Sequence, residues 1–193
     1  MFNITKLADL VRDGLLLASS RTYAEQYVEP FIRAKFGLQE SGAGDYDAVD
    51  DEGLRYEIKA CKVLRRSGNG KGTKSLLDRI LFENSSLVLT RSVPFDSHLT
   101  EDYLANVQNV KRDHFDVLIF ALLFQDKVLV FSLKTNEIGT DKVPSWSDKH
   151  GRYDAPGKSG QFPITKSNIR WHLDHNLIAT LDYKEVAQLI QGL

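Results

Sequence analysis

Three patterns of apolar positions run along this chain, and each predicts an element. Leu7, Leu10, Val11, Leu15 and Ala18 fall near helical spacing, which predicts an amphipathic helix over 5–18. Thr22-Tyr23-Ala24-Glu25 has the pattern of a capping box. It predicts a second helix with Tyr27, Val28, Phe31 and Ile32 inward, stopped by Gly37 and kinked or split by Pro30. Alternation then replaces the helical period. Tyr46–Val49 and Tyr56–Ala60 flank the polar turn Asp50-Asp51-Glu52-Gly53, which predicts a β-hairpin at about 44–63.

Further on, a short helix is expected around Ser75–Phe82, a strand over Ser86–Thr90 and a helix from Thr100 to about Val110. Val117–Phe124 is nearly continuous apolar sequence, Gln125-Asp126 makes a turn, and Val128–Phe131 is a second apolar run. Strands apolar on both faces belong in the middle of a sheet covered on both sides. Residues 136–163 read as a long irregular segment rich in Gly, Pro, Ser, Lys and Asp, of the kind that often carries function. Leu177–Leu181 reads as a strand, and Asp182-Tyr183-Lys184-Glu185 caps a last helix. The order predicts one mixed α/β domain over residues 1–193, built around one sheet.

At 193 residues, 42% hydrophobic and 26% charged, the chain suits one globular core. No apolar run approaches the roughly 20 residues of a membrane span, and the first residues lack the build of a secretory signal. Cys61 is the single cysteine, which excludes an intrachain disulfide and points to a reducing, cytoplasmic setting. Burial is expected for it. The net charge of −1 hides an asymmetry. Residues 39–53 carry six acids and no base, whereas residues 59–79 carry seven bases against Asp78 alone. A nearly neutral protein still presents a basic groove when its charges segregate in this way.

Chemistry concentrates in the hairpin. Residues two apart on a strand share a face, so Glu57 and Lys59 lie together while Tyr56, Ile58 and Ala60 face a core. Closing the turn brings Asp47 alongside Glu57. Two carboxylates and a lysine at one spot suit a hard divalent cation and a cation-activated water.

Asp47 followed by Glu57-Ile58-Lys59 resembles the core motif of the PD-(D/E)xK nuclease superfamily, which includes many restriction endonucleases; Tyr46 stands where the motif has proline. The resemblance implies a restriction-endonuclease-like mixed sheet flanked by helices. It also implies Mg²⁺-dependent, sequence-specific hydrolysis of double-stranded DNA, as by a type II restriction enzyme. Asp47 and Glu57 would be metal ligands with the Ile58 carbonyl, and Lys59 would orient the water. Glu25 and Asp45 are further candidate ligands. Cutting both strands of a palindrome is most simply done by a homodimer, and the sequence has no motif for a nucleotide cofactor. Repair, nicking and junction-resolving nucleases are the alternatives within the superfamily. A catalytically inactive DNA-binding module is the alternative outside enzymes.

Basic and amide side chains supply the expected DNA contacts. Lys62, Arg65, Arg66, Asn69, Lys71 and Lys74 follow the catalytic strand, and Arg152, Lys158, Lys166 and Arg170 come later in the chain. His172 and His175, three apart on an expected helix, lack an obvious third metal ligand and read as an exposed face. No Gly-x-Ser-x-Gly elbow or Walker spacing is present.

Overall fold

The computed structural model describes residues 4–17, 27–42, 44–66, 91–149 and 159–192. Helices α1 (Ile4–Leu17) and α2 (Glu29–Phe36) come first. Strands β1 (Gln39–Glu40), β2 (Ala48–Val49), β3 (Arg55–Lys62) and β4 (Leu64–Arg65) follow. Next come β5 (Tyr103–Val110), β6 (Val117–Leu123), β7 (Lys127–Lys134) and β8 (Gly160–Ile164). Helix α3 (Ile169–His175), strand β9 (Leu177–Asp182) and helix α4 (Tyr183–Gln191) close the chain. Among the described residues, six strands form one sheet in the order β1-β2-β3-β6-β7-β9, and β4, β5 and β8 form a second. Only the β3–β6 pair in the larger sheet is parallel, so that sheet is mixed. The architecture is mixed α/β, with a mixed sheet flanked by helices. Among the described residues, no helix is long and apolar enough to cross a membrane.

The expected alternation of β3 sets the two cores. Ile58 joins Ala48, Ile119, Ala121, Val128 and Val130 beneath α1, α2 and α4, with Tyr56 and Ala60 packed against them. On the other face Cys61, Leu118, Phe120, Leu122, Leu129 and Phe131 pack against Tyr103, Ala105, Val107, Phe162 and Ile164 of the second sheet. Strands β6 and β7 are thus covered on both faces, which is why their sequences read as continuous apolar runs. Burial raises the Cys61 thiol to about 12, so it is an inert core side chain.

Several expectations need correction. Residues 103–110 form strand β5, not a helix. Tyr103, Leu104 and Val107 suggested a helical face, but Tyr103, Ala105 and Val107 are the buried positions, and their alternation matches pairing with β8. Residues 27–28 are π-helical and the α-helix proper begins at Glu29, next to Pro30. Pro30 occupies the first turn, where a missing N–H costs little. Tyr27 points outward, whereas Val28, Phe31 and Ile32 are buried as expected. Gly37 ends α2 in the left-handed region at φ 67°. The irregular segment ends in an ordered strand, β8. His172 is buried in the core and is not on an exposed face. The capping box at Thr22, the Ser75–Phe82 helix and the Ser86–Thr90 strand lie outside the described residues.

Strand β8 starts on a glycine for a steric reason. A Cβ on Gly160 would sit 2.1 Å from Trp146 Cζ2 and 2.2 Å from Cη2. The Trp146 ring is held, because its Nε1 donates to Asp148 Oδ1 at 2.7 Å and the Arg112 guanidinium lies 5.5 Å from its centroid. Gly160→Ala should therefore destabilise the fold by about 1–3 kcal/mol, as overpacked cores do. Urea unfolding monitored by tryptophan fluorescence measures the loss, and an unchanged midpoint would show that the indole moves aside freely.

Candidate active site

The hairpin brings Asp47, Glu57 and Lys59 together, as its alternation predicts. The β2–β3 register pairs Ala48 with Tyr56, so Asp47 leaves the sheet beside Glu57. Its amide donates to the Tyr56 carbonyl at 2.9 Å. Its carboxylate Oδ2 accepts from the Ile58 amide at 2.7 Å, taking the place of a strand carbonyl where β2 ends. Asp50 builds the turn, accepting from the Glu52 and Leu54 amides at 3.0 and 2.9 Å, and Gly53 takes φ 83°. The Tyr56 hydroxyl donates to Asp50 Oδ2 at 2.8 Å from the core face. At the strand's start, Arg55 forks onto Asp116, with Nη2 to Oδ1 at 2.8 Å and Nε to Oδ2 at 3.0 Å. This pairing holds the Asp116 carboxyl down at about 2.

Glu57 and Lys59 project from the same face of β3, beside Leu118 and Phe120 of β6. Their side chains are 13% and 24% exposed, and Lys59 Nζ donates to Glu57 Oε1. Glu57 has a raised pKa. Burial is the largest cause and the nearby Asp47 charge adds to it, while Lys59 and Lys111 work against the rise. The two carboxylates therefore repel each other in a partly desolvated place. Asp47 Oδ1 and Glu57 Oε2 accept no hydrogen bond among the described residues. The pair has acceptor capacity to spare and an excess of negative charge. A hard cation supplies what such a pair lacks, so the donor set fits Mg²⁺. Among the described residues no group of three or more His, Cys, Asp or Glu side chains gathers to hold a metal. Mg²⁺ commonly needs only one or two carboxylates, the rest of its shell being water and substrate.

Asp45 lies in the turn before Asp47, 74% exposed, with its Oδ1 3.3 Å from His114 Nδ1. Glu25 falls outside the described residues, as do Asn69, Lys71, Lys74, Arg152 and Lys158. Lys62 is half-buried on β3, and Arg66 is exposed just beyond β4. Arg65 serves the fold: its Nη2 and Nε grip both Glu101 oxygens, the former at 2.7 Å, and Nη1 reaches the Ser92 carbonyl at 2.8 Å. Arg170 pairs with Asp174 one turn on at 3.2 Å, and Lys166 is exposed in the turn before α3. Asn168 is also structural, accepting from the Thr165 amide at 2.8 Å.

Sequence reasoning missed Lys111 and His114. Both belong to the short connection from β5 to β6, about fifty positions past the end of β3, so spacing gives no signal for them. No family model, curated protein or solved structure matches the chain.

Proposed function

We propose that the chain is a Mg²⁺-dependent endonuclease that hydrolyses phosphodiester bonds of double-stranded DNA in a sequence-specific manner, as type II restriction enzymes do, working as a homodimer. One observation carries the reading. Asp47 and Glu57 come together on a hairpin, each with an oxygen open to a ligand, and Lys59 is bonded to the buried carboxylate. The hairpin leading into a central strand paired in parallel with β6 supports a restriction-endonuclease-like fold in the same measure.

Asp47 and Glu57 would hold the metal, with the Ile58 carbonyl as a third oxygen. Bound Mg²⁺ lowers the pKa of a coordinated water and screens phosphoryl oxygens. The residues of the chain do the rest. The Ile58 amide fixes the Asp47 carboxylate through Oδ2. The partial burial of Glu57 keeps its charge effective by excluding screening water. Lys59, bonded to Glu57 on the face of β3 that it shares with Cys61, would offset charge growing on a phosphate.

Incubating the protein with plasmid DNA in Mg²⁺, and again in EDTA, tests the reading. Discrete linear fragments that need the metal are expected. Nicked circles would favour a repair or nicking nuclease, and retained DNA binding without any cutting would make the chain an inactive module. The two aspartates should also separate. Asp47→Asn should lose metal-dependent cutting by about a hundredfold while staying folded. Asp45→Asn should stay close to the parent, because Asp45 is exposed and turned to His114. The reverse result would move the first ligand to Asp45.

A further inference from the structure

We propose that Lys111 is a substrate-contacting residue of the same site, its ammonium gripping a backbone phosphate of the DNA duplex next to the bond that is cut. The inference rests on the nuclease reading and adds a residue that the hairpin motif does not contain. It begins with an irregularity in β5. Val107 pairs with Phe162 but Val110 pairs with Gly160, so two residues of β5 face one of β8. This is a β-bulge, and Asn109 within it takes φ 55°. Bulges turn the strand that carries them and re-aim the side chains that follow. Lys111 is the first residue after β5, two positions past Asn109.

The connection that starts at Lys111 is pinned along the hairpin. His114 Nδ1 lies 3.3 Å from Asp45 Oδ1, and the His114 amide donates to the Lys111 carbonyl at 3.0 Å. Two residues past His114, Asp116 holds Arg55 at the start of β3. On the other side, Cys61 Sγ contacts the Asn106 carbonyl at 3.2 Å, tying β5 to β3 two residues beyond Lys59. The end of β5 and the connection after it are thereby held along the hairpin that carries the carboxylate pair. Lys59 is bonded to Glu57, whereas the Lys111 residue is exposed and its side chain makes no hydrogen bond or ion pair among the described residues. A cation fixed by its backbone, unpaired, and bordering two acids has the right charge to guide a polyanion past carboxylates that would repel it. A lysine that only solvates the surface would have no such effect on DNA.

The test compares the parent with Lys111→Ala and Lys111→Arg. The probe is a mixed-sequence duplex of about 30 base pairs, with binding followed across a salt series in Ca²⁺. Thermal melting of the variants should match the parent, because Lys111 is exposed and unpaired. Lys111→Ala should bind about tenfold more weakly at low salt, and its log–log salt slope should fall by about one. Lys111→Arg keeps the charge and should retain the slope. Equal slope and affinity in Lys111→Ala, with the parent binding and cutting DNA, would overturn this inference alone. A parent that neither binds nor cuts the duplex would overturn the nuclease reading, and the role of Lys111 with it.

Discussion

Lys59→Met and Glu57→Ala should each lose about a hundredfold or more of the Mg²⁺-dependent cleavage of DNA, the usual cost of removing one preorganised electrostatic group. The two losses have different causes. Lys59→Met preserves the length of the side chain and removes the positive charge that faces Glu57. The carboxyl of Glu57, already raised by burial and by Asp47, then rises further, so less of it is ionised to receive a cation. Glu57→Ala instead removes a proposed ligand and relieves the repulsion on Asp47. DNA binding without metal should survive in both variants and tighten in Glu57→Ala, because a carboxylate near phosphate repels it. Circular dichroism and DNA binding measured beside cleavage keep loss of fold apart from loss of chemistry. Near-parental cutting by either variant would remove the proposed site.

Acid should destabilise this fold through one histidine, and His172→Leu should remove much of the effect. His172 is fully buried against Phe120, Phe131 and Phe162, and neither ring nitrogen has a hydrogen-bond partner in the described structure. Burial, and then the charge of His175, lowers its pKa from 6.5 to about 4. The folded form therefore holds a neutral ring that the unfolded chain protonates below about pH 6.5. Between those two values the unfolded state binds more protons, so stability falls as the pH falls. From pH 7 to pH 5 the linkage amounts to about 2 kcal/mol. Urea unfolding at both pH values should show that difference between the parent and His172→Leu, a non-titrating side chain of similar size. Identical pH dependence in the two proteins would place the titrating group elsewhere.

The features legible in the sequence are those whose information is local. The hairpin is encoded by alternation around a turn, and the capping box at Asp182 lies within four residues. Strands β6 and β7 announce themselves because both of their faces are buried. What stayed hidden depends on partners far along the chain. Strand β5 owes its form to β4 and β8, and Ala105, small and weakly apolar, blurred its alternation. Arg65 looked like a DNA contact because Glu101, thirty-six positions away, gives no sign of being its partner. His172, weighed only as a metal ligand without a third partner, reads as an exposed face, yet it is fully buried. Its spacing with Ile169 and Leu173 is that of a buried helical stripe: Ile169 belongs to the core and Leu173 packs against it.

The parallel pairing of β3 with β6 has a consequence for the order of folding. Asp47, Glu57 and Lys59 span thirteen residues and meet through a hairpin, a unit that closes in roughly 1–10 μs. The strand that holds the hairpin in the sheet, β6, arrives only after residues 63–116 have been looped out. Loop closure of that length opposes the pairing entropically and makes it slow relative to local structure. The acids are thus brought together before the strand that pairs with β3 is in place. A divalent cation present during refolding would meet the carboxylate pair while it is still open to water. It would then speed assembly in proportion to how far the pair is formed at the rate-limiting step.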